Sequence, residues 1–255
     1  MFASPIITAS QLADLGAVRL LYVPAGDEQP AGMATVPIRN WIAIAKQNDT
    51  GLDDVPYWQD QIAQLGLSQD VLTVVLDNGS MIEAARVWFI LQYFGLPAAV
   101  LNGGLPGLGE MPAQAARSTK KPVLRPGTGA VGLMGRKELK TGLASVQILD
   151  ARTPAEFMGN DLKGNARGGH LPGAVLLDHH DLLDGLHIRP ASELADMMSD
   201  AGLHVGDPVV THCQGGGRAA LAALAAVAAG QADVRVYYLS FGDWAADESC
   251  SVESR

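Results

Sequence analysis

The sequence predicts an α/β protein of two similar halves, each built on a mostly parallel sheet flanked by helices. Three observations predict it. Short apolar runs rich in β-formers alternate with helical patterns along all 255 residues. An aperiodic stretch interrupts that alternation near the middle of the chain. On either side of it, one plan recurs: strand, tight polar loop, helix, glycine, strand.

The elements follow in order. VRLLYV (18–23), LTVVL (72–76) and AAVL (98–101) read as buried strands of the first half. In the second half the strands are VQILD (146–150), AVLLD (174–178), PVVTH (208–212) and VRVYYL (234–239). Helices are expected at Tyr57–Leu65, Ile82–Phe94, Arg136–Leu143, Pro190–Ala201 and Arg218–Ala229, the last an alanine-rich string of high helix propensity. Residues 111–133 are rich in Pro, Gly, Lys and Arg and read as a linker, wrapped over a surface, between domains 1–110 and 134–255. Setting Gly95 on Gly230 superposes the two strand–loop–helix units and puts Asn78 at the place of Cys213. That pattern reads as a tandem duplication with one degenerate loop, although two unrelated βαβ units would also look alike. All 6 histidines follow the linker.

Composition excludes several classes. A net charge of −9 argues against nucleic acid as a partner and requires any anionic substrate to find a local positive site. With 2 cysteines, a disulfide scaffold is excluded, and a reducing, cytoplasmic setting is expected. The N-terminus lacks the pattern of a signal peptide. The most apolar run, 219–229, is about half the roughly 20 residues needed to span a bilayer, so no membrane partner is expected.

The chemistry concentrates at THCQGGGRAAL. Cys213 stands between a strand and a helix N-terminus, where backbone N–H groups lack helical partners and the dipole is positive. Gly215, Gly216 and Gly217 let the loop curl so that its N–H groups share a centre, and Arg218 adds a charge at the rim. Such a setting favours a nucleophilic thiolate. A buried inert cysteine would need none of these features, and a zinc site would need a second cysteine at ligand spacing. Attack on phosphorus and attack on a sulfane sulfur both suit the loop. Cysteine phosphatases place five residues between cysteine and arginine. Here there are four, a cradle better matched to one sulfur.

The loop and its surroundings resemble the rhodanese family of sulfurtransferases. The segment Ile148–Asp184 is similar to that family's signature at Asp150, Arg152, Glu156, Phe157, Gly169, His170, Pro172, Gly173 and Ala174, and SFGDW (240–244) to its Gly-Ser-Trp-x-Glu-Trp element. In the first half, the helix and strand before Asn102 are similar to the non-catalytic domain of tandem members. The resemblance implies two five-stranded rhodanese-like domains and a persulfide on Cys213. It implies substrate binding by Arg167, Arg218 and the main-chain N–H groups of Gln214, Gly215, Gly216 and Gly217. It implies no metal and no organic cofactor. The partners it implies are a small anionic sulfur donor and a thiophilic acceptor such as cyanide, a thiol or a protein. Departures bear on the donor: mercaptopyruvate-type members have serine where Gly215 stands and use a histidine of the first domain, which this chain lacks. Thiosulfate is therefore expected ahead of 3-mercaptopyruvate. The rival readings are a cysteine phosphatase or arsenate reductase, and a sulfur carrier without turnover.

Other residues have simpler readings. Asp150 and Arg152 read as an internal ion pair ahead of a substrate contact, His170 as structural ahead of a proton donor, His212 as structural, and the four tryptophans as core or interdomain packing ahead of ligand stacking. His179 and His180 form a surface pair without further metal ligands. Cys250 is an exposed spectator in an acidic tail that could also reach Cys213 as a resolving thiol.

Overall fold

The computed structural model describes residues 4–47 and 49–254. The chain divides into two compact units. The first is Met1–Asn48, Leu52–Ala130 and Gly185–Ile188; the second is Asp49–Gly51, Val131–Asp184 and Arg189–Arg255.

In the first unit the strands are β1 (Ile6–Ile7), β2 (Arg19–Tyr22), β3 (Ala34–Thr35), β4 (Thr73–Leu76) and β5 (Ala98–Leu101). They form one parallel sheet in the order β1-β5-β4-β2-β3. Every residue of β4 and β5 is buried, as expected of a parallel sheet covered on both faces. Its helices are α1 (Ala9–Ala13), α2 (Ile38–Ala45), α3 (Val55–Gln64) and α4 (Ile82–Tyr93). Thr8 and Gln11 close a capping box on α1, and the Asp54 side chain caps α3. Trp41 and Trp58 meet edge to face at 5.2 Å inside this unit, where Trp88 is also fully buried.

The second unit repeats the design. Its sheet comprises β6 (Gly132–Leu133), β7 (Gln147–Asp150), β8 (Ala174–Leu176), β11 (Val209–His212) and β12 (Val234–Val236), all parallel, in the order β6-β12-β11-β7-β8. The helices are α5 (Arg136–Gly142), α6 (Pro154–Phe157), α7 (Ala191–Asp200), α8 (Gly217–Ala228) and α9 (Ser240–Ala246). Two further short strands, β9 (Leu183–Asp184) and β10 (His187–Ile188), fall on either side of the unit boundary. The matching strand orders give both halves one topology, with β4 and β11 in corresponding central positions. Among the described residues, no helix is long and apolar enough to cross a membrane.

The stretch expected as a linker wrapped over a surface is hydrogen-bonded to the first unit over much of its length. Residues 111–130 belong to the first unit, and Gly132–Leu133 form the edge strand of the second sheet. Val18 N donates to Ala113 O, Ala115 N to Val18 O, and Arg125 N to Phe94 O. Hydrogen bonding from the segment's own backbone replaces the hydrophobic periodicity that it lacks. The Cys250 expectation is corrected. The residue is 1% exposed and packs in a core cluster with Tyr237, Phe241 and Trp244. A polar, acidic sequence around it hid a chain that folds back: His170 and Glu253 exchange two backbone hydrogen bonds.

Candidate functional site

Strand β11 ends at His212, and the next residue is Cys213, 1% exposed. Its Sγ accepts a hydrogen bond from Gly216 N at 3.1 Å. Gly216, the residue before α8, has φ +95°, and a Cβ there would lie 2.7 Å from Tyr238 O. Only glycine meets both conditions, so the N–H that faces the sulfur depends on that residue. Gly217 opens α8 and is buried. Gly215 has open space, with nothing within 4 Å of an added Cβ.

The start of α9 holds the loop from the other side. Phe241 N donates to Cys213 O at 2.9 Å, and Gly242 N to Gln214 O at 3.2 Å. Cys213 N donates to Ser240 Oγ, which in turn donates to Tyr237 O and lies 3.8 Å from Sγ. Two loop carbonyls are thereby bound by α9. The Gln214 side chain forms a reciprocal amide pair with Asn165, both bonds 3.0 Å. From sequence, Ser240 falls in the SFGDW element without a role at the loop, and Asn165 is not marked at all. Ser240 acts through a left-handed φ of +62°, which no sequence pattern announces, and Asn165 lies in a loop without periodicity.

Arg218 does not stand free at the rim. Its terminal nitrogens form a fork with Glu156, at 2.6 and 2.8 Å. Glu156 is 1% exposed and also closes a capping box with Thr153 at the start of α6. Burial pushes its carboxyl up, but the bonds and charge of Arg218 and the bonds from Thr153 outweigh it and hold Glu156 at about 2. The same partner raises the Arg218 pKa against the effect of burial. Glu156 stands in the family-like signature, and the Thr-x-x-Glu spacing of 153–156 is the sequence signal for its capping role.

Arg167, expected to bind substrate, is engaged within the second unit. Its guanidinium donates to four main-chain carbonyls, those of Trp244, Ala245, Asp247 and Cys250, at 2.6–3.1 Å. It fastens the end of α9 and the chain beyond it, and those bonds engage all but one of its N–H groups. The carbonyls left over at a helix C-terminus attract an arginine as an anion would.

Behind the loop, Asp150 and Arg152 form a fully buried pair at 2.6 Å. Arg152 also donates to Gly169 O and lies 3.9 Å over the Phe241 ring, linking the Gly-His turn to α9. His170 stacks on Phe157 at 3.7 Å, with Nδ1 3.0 Å from Phe157 O. His212 is completely buried; burial lowers its pKa, Asp150 opposing.

The first unit carries the corresponding loop. Tyr22 faces Leu76 at the end of the β2–β4 ladder as Asp150 faces His212 at the end of β7–β11. The next residues, Asp77 and Cys213, therefore share one place, which corrects the assignment of Asn78. The first loop is a residue longer, so counting back from the helix gave the wrong neighbour. Met81, with φ +63°, precedes α4 as Gly216 precedes α8. The Asp77 carboxylate accepts bonds from Gly79 N, Met81 N, Ala84 N and Ser80 Oγ at 2.9–3.2 Å. Here the chain's own anion fills the N–H cradle.

Comparisons agree with this architecture. A family model described as Rhodanese-like domain matches residues 136–247. The thiosulfate sulfurtransferase of Azotobacter vinelandii is 31% identical over 201 residues, covering 74% of this chain and 72% of that protein. The 3-mercaptopyruvate sulfurtransferase of Escherichia coli is 27% identical over 200 residues, covering 74% of this chain and 70% of that protein. A crystal structure of a 3-mercaptopyruvate sulfotransferase from Escherichia coli shares the fold, with a TM-score of 0.71, 20% identity, and coverage of 92% of this chain and 97% of that one. Two parallel five-stranded sheets, one bearing a cysteine loop against a helix N-terminus, make the class a tandem rhodanese-like protein. The chain belongs to the rhodanese family of sulfurtransferases.

Proposed function

We propose that the chain moves a sulfane sulfur from thiosulfate to a thiophilic acceptor through a persulfide on Cys213. The observation that carries this reading is the buried Sγ 3.1 Å from Gly216 N at the mouth of α8. The Cys213 thiolate attacks the outer sulfur of the donor. The donor S–S bond breaks, its electron pair leaves on sulfite, and Cys213 keeps the transferred sulfur as a persulfide anion. Cyanide, a thiolate or a protein acceptor then attacks the terminal sulfur, and the Cys213 thiolate returns. One sulfur moves in each half-reaction, without an oxidant or reductant.

The residues have distinct parts in this scheme. Main-chain N–H groups of Gln214–Gly217 and the positive end of α8 stabilise the persulfide. Arg218 positions the loop through Glu156. Asp150, Arg152 and His170 brace the turn behind it. The first unit is silent in transfer, because Asp77 supplies a carboxylate where the second supplies a thiol.

Gly215 favours thiosulfate over 3-mercaptopyruvate, since no hydroxyl stands there to assist departure of the enolate. The open space at this position accommodates an added Cβ without contact, as a serine substitution requires. The test is mass spectrometry and steady-state kinetics with both donors. Thiosulfate should add one sulfur to the wild type and none to Cys213→Ser, and Gly215→Ser should raise kcat/KM for 3-mercaptopyruvate. An adduct that survives Cys213→Ser, or a wild type that prefers 3-mercaptopyruvate, refutes the proposal.

A further inference from the structure

Asp178, His179 and His180 follow β8 in the second unit. From sequence, the two histidines lacked further metal ligands. The fold supplies one: Asp178 Oδ1, His179 Nδ1 and His180 Nδ1 all lie within 4.8 Å of one another. Each ring nitrogen is 2.9 Å from the same carboxylate oxygen.

The two contacts differ in kind. His180 Nδ1 and Asp178 Oδ1 form a hydrogen bond. His179 Nδ1 is buried, in a side chain only 8% exposed, and its 2.9 Å contact with Oδ1 is not aligned as a hydrogen bond. An unsatisfied buried ring nitrogen is costly and asks for a ligand. The geometry states which kind. Two donors bound at about 2.0–2.2 Å to one ion at a right angle lie about 2.8–3.1 Å apart, their lone pairs aimed at the ion and not at each other. That gives a nitrogen and an oxygen at contact distance without hydrogen-bond alignment. The two imidazole rings lie 3.9 Å apart and 40° from parallel, so both can present Nδ1 to the same side.

We propose that Asp178, His179 and His180 form a binding site for a first-row divalent transition ion. One carboxylate oxygen and two imidazole nitrogens supply three donors, and water completes the shell. This donor set selects ions such as Ni²⁺ and Zn²⁺ over Ca²⁺ and Mg²⁺, which prefer oxygen alone. His180 is 69% exposed, so the site opens to solvent on its side. The Arg218 charge acts on His179 and opposes a cation, but the Glu156 fork offsets it.

The test is isothermal titration of the untagged full chain with Ni²⁺ and, separately, Zn²⁺. Wild type, Cys213→Ser, Asp178→Asn and His180→Ala are compared. One ion per chain is expected in wild type and in Cys213→Ser, which excludes the thiol as the ligand. Affinity should fall at least about tenfold in Asp178→Asn and His180→Ala, since even residues that only orient ligands cost that much. The first change is isosteric and the second is at an exposed residue, so both variants keep the fold. Thermal unfolding gives a second readout: Ni²⁺ should raise Tm in the wild type and not in His180→Ala. No binding, unchanged affinity in both variants, or loss of the ion in Cys213→Ser overturns the proposal.

Discussion

Replacing Glu156 by Gln should destabilise the second unit in a way that depends on pH. Glutamine keeps the length of the side chain and can still serve the Thr153 capping box, but it loses the charge that engages Arg218. A carboxyl that titrates near 2 when folded and near 4.5 when unfolded contributes about 3 kcal/mol at neutral pH. Removing one partner of a buried pair costs about 3–5 kcal/mol by an independent route, and Arg218 is 17% exposed, which places it at the lower end. The folded pKa lies below the unfolded one. The contribution is therefore complete above about pH 5.5 and fades as pH falls from about 4.5 toward 2, with about 1.4 kcal/mol gone by pH 3.5. Urea unfolding of wild type and Glu156→Gln at pH 7, 4.5 and 3.5 measures this directly. The gap should be about 3 kcal/mol at pH 7 and should narrow by about 1.4 kcal/mol at pH 3.5. A gap under about 0.5 kcal/mol at pH 7, or one that does not change with pH, refutes the argument.

Three other perturbations test the remaining assignments. Arg167→Ala should cost at least about 3 kcal/mol in urea unfolding, because four carbonyls lose a charged donor, while the thiosulfate KM stays near wild type; a tenfold KM rise with unchanged stability would restore Arg167 to the substrate. Cys250→Ser should unfold about 1–3 kcal/mol more readily, since it buries a hydroxyl in an apolar cluster, and should still accept sulfur from thiosulfate. Asp77→Ala strips four donors in the first unit of their acceptor and should lower stability by about 3 kcal/mol without abolishing the Cys213 persulfide; loss of the adduct in a folded variant would place the first loop in the reaction.

Alternation of short apolar runs with helical strings was enough to place the central strands and the long helices, because buried parallel strands and their covering helices must be apolar wherever they are put. The Cys213 loop was legible for a related reason. Three glycines between a strand and an alanine-rich helix have few other uses, and their effect is local: φ +95° at Gly216 and an N–H at the sulfur belong to one turn of chain. What only the tertiary structure decided are the partners of long polar side chains. Arg167 could reach a substrate or a set of carbonyls, and nothing in its neighbours along the chain says which; the choice is made by the segment 244–250, some eighty residues on, folding back to it. Cys250 looked exposed because its sequence neighbours are acidic, whereas burial depends on what packs across from it. Asp77 and Asn78 differ by one residue, and only strand register tells them apart. Asp178 joined the two histidines as a third donor once the turn after β8 was formed. In each case the deciding term is a contact between residues far apart in sequence or a turn of backbone, and neither leaves a periodicity to read.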